Sequence, residues 1–136
     1  MVLPAPNSVR TGSGAPGHAY WQQQADHDIK ASLDIDTNTI IGTERITYHN
    51  NSPDTLQYIW LQLEQNVHRE DSIRSREGRS TGEVEYEGIT ISKLDLDGKP
   101  AVWQEYATIA KVELDEPMRP NSTVTLDIDW QFKMPV

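Results

Sequence analysis

Short apolar runs that alternate with polar residues, each closed by turn-forming residues, dominate this chain from Tyr20 to its end. That period of two is the signature of strands, and no stretch carries the 3.6-residue spacing of a long helix. The cleanest run is Val124, Leu126, Ile128, Trp130 and Phe132, five apolar side chains on one face of one strand. Upstream, Ile29, Ala31, Leu33 and Ile35 alternate with Asp28, Lys30, Ser32 and Asp34, which predicts a strand with one wet face. Asp36-Thr37-Asn38-Thr39 supplies a turn, and Ile40, Gly42, Glu44, Ile46 and Tyr48 then share a face, so residues 28–49 read as a hairpin.

The next turn is Asn50-Asn51-Ser52-Pro53-Asp54, with Pro53 preset for a bend. Leu56 to Leu63 follows with Ile59, Leu61 and Leu63 on one side and Tyr58 and Trp60 on the other. Two apolar faces predict a central strand covered on both sides. Residues 64–83 break the rhythm with mixed charge, the pattern of a functional or mobile connection. Alternation returns at Ile89, Ile91, Leu94 and Leu96, slipping by one residue near Lys93 as a bulge would require. Asp97-Gly98 is a strong two-residue hairpin signal closed by Pro100. Strands over Val102–Tyr106 and Thr108–Leu114 follow, and Glu116-Pro117 with Arg119-Pro120-Asn121-Ser122 forms the last turn. About seven or eight strands with regular turns predict an all-β fold, a sandwich or saddle-like antiparallel sheet.

At 136 residues the length fits one domain, expected over 20–136. Residues 1–19 hold one charge, Arg10, among Pro, Gly and Ser, and read as a flexible leader. They contain no apolar core of a signal peptide, and nowhere does an apolar run approach the roughly 18 residues that span a bilayer. A soluble protein, cytoplasmic or periplasmic, is the expectation. A net charge of -9 argues against a nucleic-acid partner. With no cysteine, thiol catalysis, disulfides and cysteine-ligated metal are excluded.

Tyr20-Trp21-Gln22-Gln23, then Ile29-x-Ala31-x-Leu33-Asp34, then Ile41-Gly42-x-Glu44-Arg45-Ile46-Thr47-Tyr48-x-Asn50-Asn51-Ser52-Pro53-Asp54-x-Leu56 carry a family resemblance, continued by Tyr58-Ile59-Trp60-Leu61-Gln62-Leu63 and Gln65-Asn66. The chain resembles the N-terminal β-domain of aminopeptidase N-type zinc metallopeptidases of the gluzincin group, bacterial branch. The resemblance runs over roughly residues 20–132 and is most specific over 41–66. It implies a saddle-shaped β-domain that leads into a thermolysin-like catalytic domain, in cis or in trans, where zinc is held.

The family's zinc motif, His-Glu-x-x-His, sets two imidazoles one helical turn apart beside a carboxylate base. Here the histidines are His18, His27, His49 and His68, none four residues from another, and no Gly-x-Met-Glu-Asn segment occurs. No catalytic, substrate-binding or metal-ligating residue is therefore carried over, and the chain itself is expected to bind no cofactor and to be no enzyme.

Other constellations have plainer readings. Asp26-His27-Asp28 suggests a metal site, but in a strand His27 points away from the two acids. Asp95 and Asp97 resemble half a calcium loop, yet Asp97-Gly98 is better explained as a turn. Asp127 and Asp129 share a face and read as solvated acids. Asn50-Asn51-Ser52 and Asn121-Ser122-Thr123 match glycosylation acceptors lying in turns. Arg69, Arg74, Arg76 and Arg79 could grip an anion, but Glu70, Asp71, Glu77 and Glu83 offset them. Trp60, Trp103 and Trp130 are expected in the core or at an interdomain surface rather than on a sugar-stacking platform. Two functions remain: a non-catalytic domain that packs on a peptidase catalytic domain, and a free-standing β-sandwich module that binds peptide or carbohydrate.

Overall fold

A computed structural model describes residues 5–69, 72 and 87–134. The described residues form eight strands: β1 (Gln24–Asp34), β2 (Thr39–His49), β3 (Leu56–Gln62), β4 (Ile89–Leu96), β5 (Lys99–Pro100), β6 (Trp103–Tyr106), β7 (Ile109–Met118) and β8 (Thr123–Lys133). A short 3-10 turn, Glu64–His68, follows β3. One antiparallel sheet has the order β1-β2-β8-β4-β5 and the other β3-β7-β6. The fold is all-β, as the periodicity predicts.

The sheets meet through the alternating faces. Ile46 of β2, Leu94 and Leu96 of β4 and Leu126 and Ile128 of β8 pack against Ile59 of β3 and Val112 of β7. Leu126 and Val112 are fully buried. β8 lies at the centre of the large sheet, which is why its alternation is the cleanest in the chain. The slip near Lys93 is a register shift between Ile91 and Lys93 against β8. It keeps Ile91 and Leu94 on the core face although they are three residues apart.

Two strands differ from their sequence reading. β1 is exposed along both faces, not one, because it is an edge strand and the three-stranded sheet is too narrow to reach it. β3 lies at an edge of the small sheet, not at a centre, and only one of its faces is covered. Ile59 and Leu63 are buried, whereas Tyr58 and Trp60 are 43% and 47% exposed. Glu116 and Pro117 continue β7 rather than joining the final turn, which begins at Arg119.

The Asp97-Gly98 hairpin forms with φ of 49° and 79°, positive at both residues as a type I′ turn demands. The Asp97 carboxylate also accepts the Thr125 amide at 2.8 Å, tying the turn to β8. A Cβ at Gly98 would meet nothing within 4 Å, so the backbone alone decides the effect of a substitution. Gly98→Val is expected to lose about 1–2 kcal/mol, since a β-branched residue is strained at positive φ. Urea denaturation checks this, and an unchanged midpoint would show that the turn relaxes without strain.

Candidate functional site

On the core face of β2 the row Ile40, Gly42, Glu44, Ile46, Tyr48 includes one carboxylate among apolar neighbours. Glu44 lies directly across from Ile29 of β1 and accepts a hydrogen bond from Nδ1 of His27, two residue pairs along and on the same face. The pair sits at the mouth of a cleft of about 410 Å³ that runs between the two sheets. Ile59, Leu61 and Leu63 wall it on one side, and Ile91, Ile128, Trp130 and Phe132 on the other. Trp130 and Phe132 stack at 6.0 Å. The Trp130 Nε1 is buried without a partner among the described residues. The cleft suits an apolar group and offers a carboxylate only at its rim. Sequence reasoning missed the His27–Glu44 pair, although an acid in phase with a hydrophobic row was the available signal.

The second feature is the uncovered face of the small sheet. Tyr58 and Trp60 of β3 and Tyr106 of β6 lie on it in edge-to-face contact, with centroids 5.8 and 5.9 Å apart. Lys111 lies 4.4 Å over the Tyr58 ring and bonds Glu113 at 2.7 Å. Exposed aromatics in contact are what an interaction surface presents before it is covered. Trp103 faces the opposite way and packs against the core, so it does not extend this patch as Tyr106 does.

The remaining candidates separate. Strand alternation sends Asp26 and Asp28 to the outer face and His27 to the cleft. Asp26 instead accepts a hydrogen bond from Nε2 of His49 at 2.9 Å, and Nδ1 of His49 meets the Thr123 hydroxyl at 3.3 Å. Asp95 pairs with Lys93 and Asp97 serves its turn, so no calcium loop forms there. Asp127 is not merely solvated: Arg45 grips it through two bonds of 2.7 and 3.1 Å. Arg69 pairs with Glu105, while Arg74, Arg76, Arg79 and the acids Glu70, Asp71, Glu77 and Glu83 lie outside the described residues. Asn50 is fully buried, which removes it as a glycan acceptor in the folded chain, whereas Asn121 is exposed in its turn.

Hydrogen bonds from the Arg45 guanidinium hold the Asp127 carboxyl below its ordinary range. A bond from the Gln24 amide, then one from His49, does the same for Asp26, and the Thr37 hydroxyl for Asp34. A carboxylate with a lowered folded pKa stabilises the fold above its unfolded value, and that contribution disappears as the pH falls through the folded value. Stability is therefore expected to be flat above about pH 5 and to fall below the carboxylate value of 3.8. Thermal melts across that range check it, and Asp127→Asn should shallow the acid limb.

Among the described residues no three His, Cys, Asp or Glu side chains converge on a point that could hold a metal ion. Nor is any helix there long and apolar enough to cross a membrane.

No family model and no curated protein matches the chain. Solved structures do. An M1 zinc metallopeptidase from Deinococcus radiodurans, in a mutant form bound to a Tyr-Ser-Ala substrate, matches with a TM-score of 0.57 and 16% identity over 90% of this chain. A second structure of an M1 zinc metallopeptidase from the same organism matches with a TM-score of 0.57 over 89% of this chain, at 16% identity. A two-domain M1 zinc metallopeptidase mutant bound to L-arginine matches at 0.55 and 17% identity over 82%. This chain spans only 23%, 22% and 21% of those structures, so what is shared is the fold of one part of a larger peptidase. The described residues do not fit the zinc that those proteins are named for, and no step through a metal is derived for this chain. At the level of fold, and of fold alone, the chain resembles the N-terminal domain of M1 zinc metallopeptidases.

Proposed function

We propose that residues 20–136 are a single β-domain that packs on a thermolysin-like catalytic domain, in cis or in trans, and walls one side of the substrate cleft of a zinc-dependent aminopeptidase. The observation that carries this reading is the two-sheet fold, which aligns over 90% of this chain with under a quarter of an M1 zinc metallopeptidase. The aromatic face of Tyr58, Trp60 and Tyr106 supports it, because it is the broad apolar surface that a further layer would cover. Peptide hydrolysis belongs to the partner in this reading, and zinc with it.

The test joins the chain to the catalytic domain encoded in frame or adjacent to it. A stable complex on gel filtration, with aminopeptidase activity that depends on this chain, is expected. Trp60→Ser should weaken the complex without unfolding the domain, since half of that side chain is already in water. Absence of any such neighbouring domain, or failure to associate with it, overturns the reading.

The same aromatics favour a second reading, a free-standing module that binds peptide or carbohydrate. Their ring planes stand at 78° and 65° to one another, so they do not form a flat stacking platform, and a peptide fits better than a sugar.

A further inference from the structure

The other edge of the molecule is open as well. β1 pairs with β2 through eleven consecutive partners, from Gln24↔His49 to Asp34↔Thr39, and it stands first in the order of the large sheet. Every residue along it is exposed, and it contains neither proline nor glycine nor a register shift. Natural sheets protect long edges with such devices, or with charge, because unpaired amides and carbonyls template a further strand. On β1 only charge is present, and its arrangement is self-complementary.

We propose that the β1 edge is an interface between two copies of this chain, paired β1 to β1 antiparallel about a two-fold axis at Ile29. Residues directly opposite in an antiparallel pair share a face. Centred on Ile29, each Asp28 therefore faces Lys30 of the second copy on the outer side, twice over by symmetry. Ile29 faces its own equivalent on the inner side, and Leu33 faces Ala25 of the second copy. No like charges oppose one another. Moving the axis by one residue loses this: centring on Asp28 sets Asp28 against itself, and centring on Lys30 sets Lys30 against itself. Centring on His27 opposes Asp26 to Asp28, and centring on Ala31 opposes Asp28 to Asp34.

Two observations on the existing sheet agree with that register. Asp28 lies across from Arg45, and Arg45 across from Asp127, which it grips. Lys30 of a second copy would extend this row of alternating sign by one strand. Among the described residues Asp28 and Lys30 form no ion pair of their own. On the inner side Ile29 and Leu33 are 53% and 52% exposed, and the added strand would cover the flank of both.

Sedimentation of the whole 136-residue chain over a range of concentration is the test. A reversible dimer is expected. Asp28→Lys and Lys30→Asp each place like charges opposite one another twice, and each should raise the dimer dissociation constant at least about tenfold. An equimolar mixture of the two variants restores opposite charges at both positions and should dimerise again, which reads the register directly. Should Asp28→Lys fail to fold beside Arg45, Lys30→Asp, which faces Thr43, carries the test, with Lys30→Gln expected to weaken the dimer less. A chain that stays monomeric at the highest concentration overturns the proposal, as does a dimer indifferent to Lys30→Asp. A dimer that Trp60→Ser abolishes and Lys30→Asp leaves intact places the contact on the aromatic face and overturns it too.

Discussion

Asn50→Leu is expected to destabilise the domain by about 3–5 kcal/mol, the largest effect of any single polar substitution in the described part of the chain. Asn50 has no solvent exposure. Its Oδ1 accepts from Gln23 Nε2 at 3.0 Å, from the Ser52 amide at 3.1 Å and from the Ser52 hydroxyl at 2.7 Å. Its Nδ2 donates to the carbonyls of Asp54, Met118 and Arg119 at 2.8, 3.1 and 3.2 Å. One amide thereby ties the segment before β1, the turn after β2 and the turn after β7. Leucine leaves these groups without partners in the interior, and each buried group so orphaned costs about 1–3 kcal/mol. Asn50→Asp is the sharper control. It keeps the acceptor but turns a charged oxygen toward three carbonyls, so it should be no milder than leucine. Urea unfolding followed by tryptophan fluorescence checks both, and a loss under about 1 kcal/mol for either would mean that water replaces the amide.

Asn50 also marks where the sequence stops being legible. Asn50-Asn51-Ser52-Pro53-Asp54 announces a turn through its own side chains, and a turn is there. Turn residues are ordinarily wet, and nothing local tells that this one is folded under the β7–β8 corner. Asn66 repeats the lesson: it is buried, donates to Glu105 and to the Ala107 carbonyl, and accepts the Ile89 amide, holding the 3-10 turn to β4 and to the β6–β7 corner. Both roles depend on chain segments far away in sequence.

The strands show the same divide. The hairpins of β1–β2 and β4–β5 are legible because a hairpin is made by residues next to one another, and Asp97-Gly98 has the backbone its residue types permit. Sheet order is not local. Alternation in β1 matches that of a half-buried strand, yet β1 ends at an edge beyond reach of the small sheet. Two apolar faces on β3 show that both are suited to cover, while only Ile59 and Leu63 find it within the described chain. The aromatic face was thus visible as a residue pattern, and its exposure was not. His27 and Glu44 were each visible, but their meeting at the cleft mouth required the β1–β2 register.

Gly42→Val is expected to cost about 2–3 kcal/mol, by steric conflict rather than by backbone strain. Gly42 lies in the middle of β2, across from Trp130 of β8. A Cβ built there falls 2.6 Å from Trp130 Cε2 and Cη2, and closer still to Cζ2. The indole lies flat against the Gly42 backbone, which is how so large a side chain fits the inner face of a central strand. Any side chain at 42 must push the ring toward Leu61 and Leu63 across the cleft or expel it to solvent. Gly42→Ala already meets the ring and should cost about 1–2 kcal/mol, with valine costing more because it adds two methyl groups at the same point. A double-mutant cycle decides whether the ring is the cause. Trp130→Leu alone should destabilise by loss of contact, but in its presence Gly42→Ala should be nearly neutral, a coupling of about 1 kcal/mol or more. If the two substitutions simply add, Trp130 is not what glycine accommodates. The cleft offers a second readout: displacement of the indole changes its polarity, so Gly42→Ala should shift tryptophan emission where Gly98→Val, remote from any tryptophan contact, should not.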